Sequence, residues 1–371
     1  MLRHRHPARL CRLLIPLLIL AVGVNIVSAA PTAAPPTGAA PAGDVLRPGH
    51  LGRTIGDIER MIHFYHDLLG LGLNGERNQP VKFFATEPLT DFVSTPKNAE
   101  YRAVLMPIPG TSVNPGKVAE MVIEAIEFRN IERHQYMPAL QDPGVSSLKL
   151  VVRDLDQALA RLKEAGVPVI TAGGEPVSVP TMPGLSGSSR AIMVRDPDGY
   201  PVELLQLTPA PASNAPAASN IIGAHISLVV ADIEAAQRFY RNLIGSDLQT
   251  WSESSYQSNA AYNQLRNTPG AEFRLGTMLI PGSTVIMEFI QYRNITSKPY
   301  RPVIRDIGVG HVALMVRDIE VMLRRLQTAG VKTLGRNGSW YALTPEVKAL
   351  YAQDVDDFFI EVMERKEQLK P

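Results

Sequence analysis

Apolar and polar positions along the chain follow one pattern four times. A short apolar run with period-two alternation ends in an Asp, and apolar positions then recur at helical spacing. The four segments read HLGRTIGDIERMIHFY from His50, SLKLVVRDLDQALARL from Ser147, HISLVVADIEAAQRFY from His225 and HVALMVRDIEVMLRRL from His311. In the third, Ile226, Leu228 and Val230 fall on one strand face and His225, Ser227 and Val229 on the other. Asp232 predicts a helix N-cap, because its short carboxylate accepts from the first free helix amides. Ile233, Ala236, Phe239, Tyr240, Leu243 and Ile244 follow at helical spacing and form the stripe that packs on the sheet. The apolar strand face lies under the helix, so the His face turns toward whatever the curled sheet encloses. Several strands complete each unit.

Self-similarity on this scale means that one supersecondary unit has been copied, and chemistry is expected at positions that recur. The recurrent position is the His seven residues before the Asp, replaced by Ser147 in the second unit. Two Pro/Ala-rich stretches divide the chain, a leader at 31–47 and a linker at 209–219. They leave two domains, 48–208 and 220–367, each holding two units. The domains align with each other: FYHDLLGLGL from Phe64 answers FYRNLIGSDL from Phe239, and EFRNIERHQYMPALQDPGV from Glu127 answers QYRNITSKPYRPVIRDIGV from Gln291 without a gap.

Residues 1–30 have the pattern of a secretory signal. Arg3, Arg5, Arg9 and Arg12 precede an apolar stretch from Leu13 to Val27, closed by the small residues Ser28, Ala29 and Ala30. Cleavage there makes the mature protein secreted or periplasmic, with no stable membrane insertion. The alternative is an uncleaved N-terminal anchor, for which the stretch is short. Cys11 is the only cysteine and leaves with the signal, so disulfides, thiolate ligands and a Cys nucleophile are excluded from the mature chain. Loss of the four Arg turns a formal charge of +1 into −3. That argues against nucleic acid as a partner. Hydrophobic content of 45% suffices for one large or two ordinary cores.

The gapless alignment sets Glu124 opposite Glu288 and Glu203 opposite Glu361, so each unit has a His or Ser near its start and a Glu near its end. Taken domain by domain, the second domain offers His225, Glu288, His311 and Glu361. Two imidazoles and two carboxylates suit one divalent ion such as Fe, Zn, Mn, Ni or Co, with positions left for water and substrate. The first domain offers His50, Glu124, Ser147 and Glu203, one nitrogen ligand short. Lys149, on the same strand face as Ser147, is placed to neutralise its two carboxylates, which makes this domain a metal-free copy.

The His-to-Asp spacing with its FY pair, the segment DPDGYPVELLQL from Asp196 and the strand–helix–strands reading of each unit resemble the vicinal oxygen chelate superfamily. That superfamily includes glyoxalase I, bleomycin- and fosfomycin-resistance proteins, methylmalonyl-CoA epimerase and extradiol dioxygenases. The resemblance covers nearly all of both domains. It implies an α+β fold of tandem domains, each made of two βαβββ modules forming an open barrel. In glyoxalase-like members the ligands come from the first and last strands of both modules, which carries over onto His225, Glu288, His311 and Glu361. The extradiol pattern uses two His and one Glu, here His225, His311 and Glu361, and leaves Glu288 aside.

A fourth protein ligand crowds a ring-cleaving iron that must bind catechol and dioxygen together. The expectation is therefore an exported, divalent-metal-dependent isomerase or lyase that acts on a small oxygenated substrate by proton abstraction, with Glu288 or Glu361 as base. An Fe(II) extradiol-type dioxygenase and a non-catalytic small-ligand-binding module are the alternatives. The partner is a small molecule, with a homodimer left open. Asn294 and Asn337 begin glycosylation-type triplets, the loop from Pro183 to Ser189 reads as a lip over the first barrel, and Trp251, Tyr256, Tyr262, Tyr292 and Trp340 are candidate pocket lining in the second domain.

Overall fold

Each repeat folds as one strand, one helix and a set of further strands. The computed structural model describes residues 44–366 except 78, 80, 87–94, 182–186, 246–248 and 251–254. The signal and most of the leader, Trp251 and most of the loop from Pro183 lie outside the described residues. Module 1 comprises β1 (Val45–Ile55), α1 (Ile58–Ile62), β2 (Phe84–Ala85), β3 (Glu100–Pro107) and β4 (Val122–Arg129). Module 2 comprises β5 (Ser146–Val152), α2 (Leu155–Glu164), β6 (Val177–Val179), β7 (Ser188–Arg195) and β8 (Pro201–Thr208). Module 3 has β9 (Ile221–Val229), α3 (Ile233–Ile244), β10 (Gln249–Thr250), a second helix α4 (Ala260–Arg266), β11 (Glu272–Leu279) and β12 (Ile286–Arg293). Module 4 has β13 (Gly310–Val316), α5 (Ile319–Thr328), β14 (Thr333–Leu334), β15 (Tyr341–Thr344), β16 (Val347–Gln353) and β17 (Phe359–Arg365). Among the described residues no helix is long and apolar enough to cross a membrane.

The four expected N-caps are in place. Asp57, Asp154, Asp232 and Asp318 each sit in extended backbone and accept from an amide two or three residues on. A second cap accompanies each. The first helical amides of Ile58, Leu155, Ile233 and Ile319 donate to Glu127, Gln206, Gln291 and Glu364, each three residues beyond the recurrent Glu of its module. The last strand of every module therefore holds the start of its helix as well as a site carboxylate. In module 1 the helix continues as a π-helical turn, His63–Leu68, which buries Phe64 and Tyr65.

The modules do not pair within the sequence domains. Modules 1 and 4 share a nine-stranded sheet in the order β14-β16-β17-β13-β1-β4-β3-β2, with β15 on β16. Modules 2 and 3 share an eight-stranded sheet in the order β10-β11-β12-β9-β5-β8-β7-β6. In both, the two first strands meet antiparallel at the centre, with Gly52 opposite His311 in one and Lys149 opposite His225 in the other. The expectation that 48–208 and 220–367 each close their own barrel is thus corrected. All four first strands offer the same free edge, and the pattern in the sequence does not distinguish which two edges join.

The two sheets turn their apolar faces to one core. Leu51, Ile123, Val312 and Ile360 of the first sheet, Leu148, Ile192, Ile226 and Phe289 of the second, and Ile58, Leu159, Phe239 and Met322 of the helices belong to one contiguous buried cluster. The His-bearing faces point away from it, as the alternation requires. Contacts across the layers tie consecutive modules together. Arg53 of β1 donates to Asp196 of module 2 at 2.8 Å, stacks on Tyr200 at 3.4 Å, and shares Asp196 with the Tyr65 hydroxyl. The corresponding turn of module 4 places Asp354 on the Tyr240 hydroxyl of module 3 at 2.8 Å, with no arginine partner. The sequence domains survive as these layer contacts, while the barrels are built across them.

Candidate metal centre

The pairing of modules 1 and 4 brings His50 of β1, Glu124 of β4, His311 of β13 and Glu361 of β17 onto one concave sheet face. One ligand atom from each lies within 4.8 Å of all the others. The Nε2 atom of His50 is the hub, 2.8 Å from Glu361 Oε2, 3.1 Å from Glu124 Oε2 and 3.1 Å from His311 Nε2. His311 Nε2 lies 3.4 Å from the same Glu361 oxygen. Both imidazoles and Glu361 are buried, whereas the Glu124 side chain is 26% exposed and marks the open side.

Local sequence makes room for this cluster. Gly52, two residues past His50, lies directly across from His311, and a Cβ there would stand 1.8 Å from the His311 ring. Ala313, two residues past His311, is also small. Tyr351 of β16 lies across from Glu361 and places its hydroxyl 3.2 Å from His311 Nε2. No signal in the sequence singles it out: the residues in its register position in the other modules are Leu105, Met193 and Thr277.

The electrostatics are those of a cation site. Burial alone would lower the His50 imidazole, but Glu124 and Glu361 outweigh it and push it up to about 9. Burial would raise the Glu361 carboxyl, and the two imidazoles instead bring it down to about 2. Burial, with Glu361 and Glu124 adding to it, holds the Tyr351 phenol protonated well above its ordinary range. No Lys or Arg pairs with Glu124 or Glu361 among the described residues, so a proton shared at His50 is what balances the two carboxylates. A divalent ion fits this donor set, two imidazole nitrogens and two carboxylates on a face with one open side.

The expected set of His225, Glu288, His311 and Glu361 does not assemble. His311 and Glu361 join His50 and Glu124, while His225 and Glu288 lie in the second barrel with Ser147 and Glu203. There the Lys149 ammonium stands 3.2 Å from Glu203 Oε1 and 3.3 Å from Glu288 Oε2, and Ser227 donates to Glu288 at 2.6 Å. Lys149 does neutralise two carboxylates, as expected, but the pair is Glu203 and Glu288 rather than Glu124 and Glu203. The Ile286 amide donates to His225 Nδ1 at 3.2 Å. Burial and Lys149 lower that imidazole to about 3 against the pull of Glu288, so it stays neutral. Lys149 also holds Glu288 ionised against its burial. Glu288, expected as a candidate base, lies outside the four-residue cluster, and His50, assigned to the metal-free copy, lies within it. The candidate lining residues separate too. Tyr262 and Tyr292 belong to the second barrel, Tyr256 is capped by Arg274 and Arg293, and Trp340 packs beside Lys348 of module 4.

Comparison with known proteins agrees with the repeat. Two family models match, each described as Glyoxalase/Bleomycin resistance protein/Dioxygenase superfamily, over residues 47–204 and 224–348. No curated protein matches the sequence. Among solved structures, glyoxalase I from Zea mays is 17% identical, covers 87% of this chain and 94% of its own, and superposes with a TM-score of 0.53. A mutant form of the same Zea mays enzyme is 16% identical, with 87% and 94% covered and a TM-score of 0.54. A candidate dioxygenase from Bacillus subtilis is 14% identical, with 87% and 86% covered and a TM-score of 0.53. These likenesses establish the fold. With both halves matched by the same family over most of their length, and with four βαβββ modules in two curled sheets, the chain belongs to the Glyoxalase/Bleomycin resistance protein/Dioxygenase superfamily.

Proposed function

We propose that the protein is a divalent-metal-dependent isomerase or lyase acting on a small oxygenated molecule, with one centre formed by His50, Glu124, His311 and Glu361. The observation that carries this reading is the convergence of these four side chains from two distant modules onto one face, with two carboxylates that no lysine or arginine among the described residues neutralises. A bound ion supplies Lewis-acid polarisation of a substrate oxygen, which lowers the pKa of the neighbouring C–H. His50 and His311 provide the nitrogen ligands. Glu361, the more buried of the two carboxylates and tied to both imidazoles, stays ionised as a ligand. Glu124 is the most exposed of the four and, among the described residues, pairs only with His50, so it is the carboxylate able to take the substrate proton and return it to an adjacent atom or a leaving group. Tyr351 keeps a hydroxyl donor beside His311 and Glu361.

The exposure of Glu124 also supports a second reading, in which His50, His311 and Glu361 form the three-ligand set of an Fe(II) dioxygenase and Glu124 stands aside. Oxygen uptake with catechols separates the two. In this proposal the mature protein acts outside the cytoplasm, a reading supported by the arginines and apolar stretch of residues 1–30, and N-terminal sequencing of the protein from its host tests that. The experiment on the centre is elemental analysis after reconstitution. We expect about one ion per chain, retained in His225→Ala and lost in His50→Ala/His311→Ala. Equal metal in wild type and the double variant would remove the reading and leave a small-ligand-binding module in its place.

A further inference from the structure

The second barrel contains polar groups that the metal centre has no use for. Arg266, the last residue of α4, is 1% exposed, and neither its Nε nor its Nη1 has a hydrogen-bond partner. The same holds for the hydroxyls of Tyr262 on α4 and Tyr292 on β12, for Ser147 Oγ on β5 and for Glu203 Oε2 on β8. The Arg266 guanidinium is near enough to Tyr292 to oppose the rise that burial imposes on its phenol, without a bond of good geometry between them. Outside this barrel, only Arg53 Nε and Gln353 Oε1 are buried side-chain atoms left unmet among the described residues. The unmet atoms are therefore concentrated in one place.

Charge alone is balanced there, with Lys149 and Arg266 against Glu203 and Glu288. Hydrogen bonding is not. A buried donor or acceptor left unmet is costly, and a charged one more so, so a cluster of this kind points to a polar partner. Helix α4 belongs to module 3 alone among the described residues. It reaches across to module 2, where the Ala172 amide donates to the Gln264 carbonyl at 3.0 Å and the Thr171 hydroxyl to the Leu265 carbonyl at 3.0 Å. It thereby closes the barrel over the cluster and delivers Arg266 and Tyr262 to it.

The donors define the partner. A guanidinium with two unpaired nitrogens suits the two oxygens of a carboxylate, and phenol hydroxyls add donors to the same group. Glu203 Oε2 accepts, with the other Glu203 oxygen occupied by Lys149, so it calls for a hydroxyl donor on the ligand. Lys149 holds the place between the carboxylates, and the His225 Nδ1 lone pair is taken by the Ile286 amide, so this chemistry needs no metal. We propose that the second barrel binds a small hydroxylated carboxylate, its carboxylate on Arg266, Tyr262 and Tyr292 and its hydroxyl on Glu203.

Calorimetric titration of glycolate and lactate into the His50→Ala/His311→Ala variant tests this with the metal centre disabled. We expect saturable binding at one site, weakened at least about tenfold by Arg266→Met. The same substitution should lower the urea midpoint of the ligand-free protein, because it leaves Lys149 alone against the buried carboxylates of Glu203 and Glu288. Arg266→Lys keeps the charge without the paired nitrogens and should bind as weakly as Arg266→Met. If Arg266→Met does not fold, Tyr262→Phe/Tyr292→Phe reads the same pocket and should also weaken binding. Absence of binding by both probes overturns the proposal. So does binding indifferent to these substitutions.

Discussion

Gly52 is the residue on which the candidate centre turns. It lies across from His311 with space for an imidazole and nothing more, and the equivalent position in the second barrel carries Ser227. Ala313 and Lys149 form the matching contrast two residues past the other first-strand position. Small residues leave one barrel open for an ion, and a long ammonium fills the other. Gly52→Ala should therefore displace the His311 ring and abolish metal binding while circular dichroism stays unchanged, which elemental analysis of the purified variant checks. Tyr351→Phe should keep the ion but weaken its binding about tenfold, as loss of a hydrogen bond to a ligating group does, measured by competition with a chelator. The His and Glu ligand types were legible because they recur from module to module. Tyr351 was not, because its role arises from its register with Glu361 and no other module repeats it.

The strand–helix joint is the part of each module most plainly written in the chain. Period-two alternation, an Asp cap and a helical stripe predicted all four joints, and the structure has them in place. The Glu or Gln that holds the first helical amide recurs three residues after each site Glu, a spacing visible in the sequence whose meaning needed the strand to be brought beside the helix. The acidic turns before β8 and β17 differ in a way that titration should reveal. Asp196 faces Arg53, whereas burial pushes the Asp354 carboxyl up to about 7 despite bonds from Asp356, Tyr240 and Phe358. A folded-state value raised above the unfolded one contributes stability that is complete below about pH 4 and is lost as pH rises through about 7. Between pH 5 and 8 the wild type should accordingly lose on the order of 2 kcal/mol relative to Asp354→Asn. Urea unfolding of both proteins at the two pH values measures this.

Across the molecule, each barrel needs one module from each half of the chain. The linker at 209–219 joins β8 to β9, which lie on either side of β5 in one sheet, and the chain then returns to complete the other sheet with module 4. Neither half holds a complete ligand set: 48–208 supplies His50 and Glu124, and 220–366 supplies His311 and Glu361. The halves produced separately should bind no metal at this centre, and mixing them should restore about one ion per pair. Size-exclusion chromatography with elemental analysis reads both. Metal retained by the isolated second half would favour pairing of modules 3 and 4 and contradict the sheet order.

The amino-acid sequence determined the module, its four copies, the helix caps, the face on which chemistry sits and the residue types that perform it. These depend on periodicity and short-range hydrogen bonding, which act over a few residues and leave a pattern in the chain. Which modules pair was decided only in the tertiary structure, because four equivalent strand edges satisfy the same local rules in more than one combination. The consequences followed from that choice. His50 moved from a supposed copy into the candidate centre, Glu288 moved out of it to Lys149, and Arg266 was enclosed in the other barrel with two of its nitrogens unpaired.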